Sequence, residues 1–522
     1  MRSVVTQPPP ELRCHVDVRR DCASLERFYA GVGFTPVWLA DPASKSRAAA
    51  ALTALRSARS HGLDPRDYDV DALAAEVASV AAGTPPAGLA RADARLTVAL
   101  LQLVGDVHSG RVDPRTLHPE LKLEPKPFDP VPLLRNAAEE ESGLERLLER
   151  AAPPYSSYRR LVEELARYRD LGGRSLTPLP PLPASLHPGA PSRGLESLRE
   201  RLLAEGDLAA DAAVPSVYEG ELVAAVERFQ ARHGLQDDGV IGSSTFAALS
   251  VPLADRASQI EWALERIRWF PVFDHSKLIV VNIPEFELWA VDLDRGVGRT
   301  RFRTAVVVGR AANTRTPLLV ASMRSIDFNP YWNVPHSIVR KELLQELRRD
   351  PGYLARAGME IIPAHPAEYA TASLSAETLA RLDQGALRIR QRPGPQNALG
   401  RVKFNMPNGL DIYLHDTPQK QLFVRARRDF SHGCIRVAEP VRLAAFLLEG
   451  QSSWGEEAIR AAMASGKSAV IPLDHPVPVV LFYSTVVPEP GGRLHFLPDL
   501  YGYDAALRAA LASRTARLTR SL

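Results

Sequence analysis

The 522 residues exceed what one hydrophobic core organises, so two to four structural units are expected. With 45% hydrophobic and 24% charged residues the composition is that of a folded soluble chain and excludes the low-hydrophobicity, high-charge regime of disorder. Lys and Arg number 64 against 61 Asp and Glu, and a formal charge of +3 without a cluster of Arg interleaved with aromatics excludes a nucleic-acid footprint.

The first segment, Met1 to Arg20, carries Pro8, Pro9 and Pro10 and no unbroken apolar stretch. It reads neither as a signal-peptide core nor as a transmembrane helix, and no later segment reads as a membrane span. Three cysteines, Cys14, Cys22 and Cys434, leave at least one thiol unpaired. Cys14 and Cys22 lie close enough in sequence for a small disulfide, although proximity alone leaves their redox state open.

From about Ala23 to Arg174 apolar residues recur at spacings of three and four, as in Ala92-Asp-Ala-Arg-Leu-Thr-Val-Ala-Leu-Leu-Gln-Leu, which predicts helices. Gly62-Leu-Asp-Pro and Gly110-Arg-Val-Asp-Pro punctuate them as turns. Residues 176–191 hold Pro178, Pro180, Pro181, Pro183, Pro188 and Pro191 and read as a linker, because proline fixes φ and removes a backbone donor. Short helices follow at Leu195–Leu203, Leu222–His233 and from Ser243. The loop between the last two, with Asp237 and Asp238, lacks the alternating oxygen ligands and closing Glu of a calcium loop.

After a helix over Asp255–Trp269 the period becomes strand-like. Lys277–Asn282, Glu287–Val291, Phe302–Val308 and Leu318–Met323 are β-branched segments set off by Gly, Pro, Asn and Asp, the pattern of a sandwich or barrel. His336–Leu382 reads as helical before strands resume at Val402–Phe404 and Leu410–Leu414, so an insertion into a β domain is expected.

Chemistry concentrates in Tyr413-Leu-His-Asp-Thr-Pro and Phe430-Ser-His-Gly-Cys-Ile-Arg-Val. A protonated thiol is a weak nucleophile, so a catalytic Cys requires a nearby imidazole and backbone donors for the developing oxyanion. His415 at a strand end and Gly433 before Cys434 supply candidates for both. A lone Cys is more often an inert core residue. The polar or small neighbours Ser431, His432, Gly433 and Arg436, in a turn before the apolar helix Val441–Leu448, argue for an accessible nucleophile instead. A zinc site from His415, His432 and Cys434 is disfavoured because no further ligand completes a recognisable set. The basic run Arg425, Arg427 and Arg428 reads equally as a solvated loop or a contact for an anionic substrate, and it is given no separate function.

His415 followed 19 positions later by Cys434 within Ser431-His-Gly-Cys-Ile-Arg436 resembles the L,D-transpeptidase signature, and the wider pattern resembles the long multidomain branch of that family. Ala225-Val-Glu-Arg-Phe-Gln-Ala-Arg-His-Gly-Leu with Asp238-Gly-Val-Ile-Gly is similar to a three-helix peptidoglycan-binding-like module. Asp327-Phe-Asn-Pro-Tyr-Trp-Asn-Val-Pro is similar to a catalytic-domain segment, and Phe28-Tyr with Pro36-Val-Trp to a scaffold domain.

The resemblance implies a multidomain α+β chain. It would comprise a helical scaffold at 23–175, the linker at 176–191, the peptidoglycan-binding-like module at 192–250 and a mostly-β catalytic domain at 275–475. A helical cap inserted at 336–395 would cover the cleft, and C-terminal strands and a tail would fill 476–522. It further implies that Cys434 is acylated by a tetrapeptide donor with His415 as base, and that a stem-peptide amine is the acceptor, giving 3-3 cross-links. Gly433, Ser431 and His432 would shape the loop or the oxyanion site, while Arg436 and Tyr413 are candidates for substrate binding. No metal or cofactor is expected. The substrate implies a periplasmic location, and carbapenems would acylate an activated Cys434. An L,D-carboxypeptidase using water with the same pair, and a noncatalytic cell-wall scaffold, are the alternatives.

Overall fold

The computed structural model describes the chain apart from residues 10–11, 13–21, 41, 82–83, 122, 124–125, 182–184, 214, 295–296, 365–373, 490 and 521–522. Cys14, Pro10, Pro183 and part of the 336–395 insertion lie outside the described residues. The chain divides into a helical unit, Met1–Val272 with Ser484–Leu522, and a β unit, Phe273–Tyr483.

In the helical unit the long amphipathic helix Pro86–Ser109 supplies the central apolar face, with Leu96, Leu100, Leu103, Val104 and Val107 fully or nearly fully buried. Asp93 sits on the same buried face and serves as a turn anchor. Its carboxylate accepts from the backbone N–H groups of Val37 (3.0 Å), Trp38 (2.7 Å) and Leu39 (2.9 Å) and from the Tyr29 hydroxyl (2.6 Å). These bonds fold Pro36-Val-Trp back over the helix and stack the Trp38 ring on Phe28 at 6.2 Å. Cys22 is disulfide-bonded, whereas Cys434 is free.

The module helices Leu195–Glu205, Glu221–Arg232 and Ser243–Leu249 close over Leu202, Tyr218, Val226 and Phe229. Asp238 is occupied as a turn former: its Oδ1 accepts from Val240 N at 2.9 Å and Gln230 Nε2 at 3.3 Å. The proline-rich segment is joined to this module, since Leu186 pairs with Ile241 and packs in the same core. The helical unit also takes back the end of the chain. Arg266 pairs with Asp504 at 2.5 Å and Arg514 with Asp106 at 2.9 Å.

The β unit contains β1 (Lys277–Asn282), β2 (Glu287–Asp294), β3 (Val297–Gly309), β4 (Leu319–Phe328), β5 (Trp332–Asn333), β6 (Met359–Pro363), β7 (Leu387–Gln391), β8 (Val402–Asn405), β9 (Leu414–His415), β10 (Asp429–Ser431), β11 (Ile435–Val437) and β12 (Ala469–Phe482). The order β10-β3-β11-β9-β8-β4-β12-β1-β2 closes on itself because β2 also pairs with β3, so the structure takes the barrel arm of the sandwich-or-barrel expectation. The domain boundary expected at 475 falls within β12, which pairs with β1 and β4.

Two sequence expectations change. The insertion adds strands β6 and β7 to its helices and completes a three-stranded sheet, β5-β7-β6, with β5 just before it, because Met359-Glu-Ile-Ile-Pro and Leu387-Arg-Ile-Arg-Gln are short apolar-rich segments that pair with each other. The strand expected over Leu410–Leu414 contracts to β9. Asn408 holds the preceding residues as a loop: its Nδ2 donates to Met406 O (2.6 Å) and Ile412 O (2.7 Å), and its Oδ1 accepts from Leu410 N (3.0 Å).

Replacing Asp93 by Ala strands three buried backbone donors, and we expect a loss of about 3 kcal/mol in the stability of the helical unit. Urea denaturation followed by tryptophan fluorescence reads this directly. A change within experimental error would show that the carboxylate is not needed for this turn.

Candidate active site

The barrel register sorts side chains by alternation. Ile326, Phe404, Leu414 and Ile435 are cross-strand partners in one row through β4, β8, β9 and β11, and all are fully buried. The next row, Asp327, Lys403, His415 and Arg436, therefore lies on the opposite face. Tyr413 and Cys434 immediately precede β9 and β11, where Ile435 N donates to Tyr413 O at 3.0 Å. Residues far apart in sequence thus converge because β9 and β11 run parallel with Leu414 opposite Ile435.

His415 is 5% exposed. Its Nδ1 lies 2.5 Å from the carbonyl of Asp416, which can only accept, so Nδ1 carries the proton and Nε2 keeps its lone pair. The orienting partner of the imidazole is thus a backbone carbonyl. Burial, followed by the nearby Arg436 guanidinium, lowers the pKa of His415 from the ordinary 6.5 to about 3. The Asp416 carboxylate is itself buried and spent on the loop, accepting from Arg401 N at 2.9 Å and from Lys420 Nζ at 2.6 Å. Gly400 is required behind it: at φ +62° it occupies the left-handed region, and a Cβ there would lie 2.4 Å from Asp416 Oδ2.

Cys434 is half-buried, and its Sγ donates to the carbonyl of Asp411 at 3.6 Å. Asp411 holds φ +53°, an uncommon value for a residue with a side chain. Burial pushes the thiol pKa up; hydrogen bonds from the Tyr413 backbone and hydroxyl, and the Lys403 charge, act in the other direction. Tyr413, expected as a possible substrate contact, is thus placed on the sulfur itself. Its hydroxyl also bonds with Trp332, and Lys403 lies over its ring at 4.7 Å.

The loop before the sulfur is clamped from two sides. Ser431 Oγ donates to Cys434 O at 2.6 Å and accepts from Gly433 N at 3.1 Å. Thr314 Oγ1 donates to Ser431 O at 2.9 Å, and Thr316 Oγ1 to Gly433 O at 2.8 Å. Gly433 adopts φ +119°, where a side chain would be strained. Because its N–H is engaged by Ser431, the Cys434 N–H is the better candidate donor to an oxyanion.

His432 donates from Nε2 to Glu342 Oε1 of the insertion at 2.6 Å. Arg436 Nη1 donates to Gln419 Oε1 at 2.5 Å while its buried Nε has no partner, and the charged groups bearing on it are Arg310 and Cys434 rather than a carboxylate. The basic run is committed to structure. Arg427 pairs with Asp429 (2.6 Å), Arg428 donates to Phe286 O (3.1 Å) and Val306 O (3.2 Å), and Arg425 lies over the Phe430 ring.

Sequence reasoning passed over Asp411, Lys403, Trp332, Thr314, Thr316 and Glu342. Asn408-Gly409, a turn dipeptide five residues before Leu414, was a readable sign that the chain turns there. The roles of the six depend on pairings that no local pattern announces.

Comparisons with known proteins match three regions. Residues 276–459 match the model described as "L,D-transpeptidase catalytic domain", residues 192–249 "Putative peptidoglycan binding domain", and residues 23–165 "Scaffold domain". A Haemophilus influenzae protein described as "Putative L,D-transpeptidase" is 34% identical over 247 residues, 47% of this chain and 48% of the relative, so the chain spans about half the length of that curated relative. A crystal structure of residues 123–326 of the L,D-transpeptidase from Xylanimonas cellulosilytica is 17% identical, covering 58% of this chain and all of that one. Its TM-score of 0.17 is too low to carry an argument.

The depressed pKa of His415 links folding to pH. Between the ordinary 6.5 and about 3 the unfolded chain binds a proton that the folded chain does not, so stability is lost as pH falls through this window. For this group alone we expect a loss of about 2 kcal/mol between pH 7 and pH 5. Denaturant titrations at the two pH values, with wild type and His415→Gln, check it. An equal pH dependence in both proteins would show that His415 is not a neutral buried imidazole.

Proposed function

Because the chain belongs to the L,D-transpeptidase family, we propose that it joins peptidoglycan stem peptides by a two-step acyl transfer on Cys434, forming 3-3 cross-links in the cell envelope. The observation that carries the reading is the tautomer of His415: with Nδ1–H committed to the Asp416 carbonyl, Nε2 is left as an acceptor on the face that holds Cys434.

The resting pair is neutral, with a protonated thiol and an unprotonated imidazole, because burial disfavours both charged forms. Proton transfer therefore accompanies attack. Cys434 Sγ forms its bond to the carbonyl carbon between the third and fourth stem residues as its proton passes to His415 Nε2. The tetrahedral intermediate collapses, the C–N bond breaks, and His415 returns the proton to the departing D-alanine amine. The acceptor amine then gives a proton to Nε2, attacks the thioester carbon and expels the sulfur, which is reprotonated. The Cys434 N–H supports the oxyanion in both steps. Tyr413, bonded to the sulfur, favours the thiolate as it departs. Arg436, with a buried donor unspent, suits a substrate carboxylate.

The insertion acts as a cap whose Glu342 is tied to His432, two residues from the nucleophile. A closed cap disfavours water relative to the amine as acceptor of the acyl group. A periplasmic location follows from the substrate.

Two experiments test these assignments. With a disaccharide-tetrapeptide, wild type should release D-alanine and form cross-linked dimer, while Cys434→Ala should do neither and His415→Ala should be slowed at least about a hundredfold. Release of D-alanine with only tripeptide product would instead identify a carboxypeptidase, and no turnover by folded wild type would leave a cell-wall scaffold. Glu342→Ala should raise the ratio of tripeptide to dimer severalfold by mass analysis; an unchanged ratio would exclude the cap contact from acceptor choice.

A further inference from the structure

Within the helical unit, a cavity of about 400 Å³ opens where Gly172 ends a helix, the segment Arg174–Leu179 crosses it, and residues Leu249–Ala254 lead into the helix Leu253–Trp269. Most of its wall lies outside the residues 192–249 that match a peptidoglycan-binding model. Its volume falls in the range of about 300–1,000 Å³ usual for small-ligand sites.

The polar groups around it are mainly donors. The helix Leu253–Trp269 begins at Pro252 with no side-chain cap, so the N–H groups of Leu253 and Ala254 have no intrahelical acceptor and the positive end of the helix dipole stands there. Arg201 on the wall is 7% exposed; its Nε is held by Glu205 at 2.5 Å, while the buried Nη2 has no acceptor. Arg174 contributes a second guanidinium, held only by a solvent-exposed pair with Asp170. Ser175, Thr177 and Ser250 add hydroxyls. The acids beside it are engaged: Glu205 with Arg201, Asp170 with Arg174, and Glu200 in accepting from Thr177 N at 2.9 Å. Gly172 sets the close approach of the two helices, since a Cβ there would meet the Ala254 backbone at 3.0 Å.

We propose that this cavity is a second peptidoglycan-contact site, which receives a carboxylate of a stem peptide between Arg174, Arg201 and the start of the helix Leu253–Trp269. A buried guanidinium nitrogen without an acceptor, an uncapped helix start and a peptide-sized cavity coincide, and one anionic group satisfies all three. The choice of a peptide carboxylate over other oxyanions rests on the transpeptidase reading above, which makes stem peptides the polymer this chain handles.

The test is calorimetry with full-length Cys434→Ala protein, which cannot turn over, using L-alanyl-γ-D-glutamate, its diamide and inorganic phosphate as probes. The dipeptide should bind, with the diamide at least tenfold weaker. Arg174→Glu, at an exposed position, should weaken the dipeptide at least tenfold without changing the circular dichroism, and Arg201→Lys, which keeps the charge but loses Nη2, should weaken it too. No binding at millimolar dipeptide, equal binding of the diamide, or unchanged affinity in Arg174→Glu would overturn the proposal. Phosphate binding more tightly than the dipeptide would overturn the peptide assignment in favour of a phosphate site. Acylation of the wild-type chain at Cys434 by a tetrapeptide donor is read separately by intact mass, so dipeptide binding by a protein whose wild type is never acylated would sink the catalytic reading and leave this site standing.

Discussion

The pairing of Leu414 with Ile435 is the constraint on which the site depends. It sets two alternating rows across the barrel, one apolar and buried, the other carrying Lys403, His415 and Arg436. A slip of one residue would exchange the rows, driving an imidazole and a guanidinium into the core and two aliphatic side chains out of it. Core packing thus enforces the geometry of the candidate site: the apolar partners are intolerant of any other register, so the polar residues have no freedom to misalign. The short length of β9 and β11 matters less than it first suggests, because the loops on either side are pinned by side chains, Asn408 before β9 and Ser431 with Thr316 before β11.

Burial then governs the electrostatics. A solvent-exposed Cys–His pair can rest as an ion pair, but here desolvation opposes charge on both members. Such a thiol is poorly reactive until a substrate supplies an electrophile and aligned dipoles. The groups that favour the thiolate, Tyr413 and Lys403, are held in place by one another and by Trp332, so the sulfur is supported by a small polar cluster rather than by the histidine alone.

Much of this was legible from residue order. The helical periodicity up to Arg174, the three module helices and the strands of the first half of the barrel are local or motif-borne signals. What escaped is nonlocal. The strands β6 and β7 are five residues each and sit among helix formers, so each makes sense only beside the other. The identity of the imidazole's partner as the Asp416 carbonyl is invisible to a reading of side chains. Tyr413 illustrates the intermediate case: alternation alone would place it with His415, but its attachment to the sulfur requires the parallel neighbour strand. The expected domain edge at 475 falls within β12, a long strand that carries Pro472, Pro476 and Pro478 and pairs on both sides of that point.

The return of the chain to the helical unit after Tyr483 has a consequence for biosynthesis. Arg266 and Asp106 sit at positions made early, yet their partners Asp504 and Arg514 emerge only after the whole β unit has been translated. Until then Arg266 and Asp106 are without these particular partners, and the helical unit waits for its last contacts while the barrel is made. Folding order is therefore nested rather than sequential: the unit begun first is the one finished last, and a ribosome that stalls late leaves behind a complete barrel attached to an unfinished host.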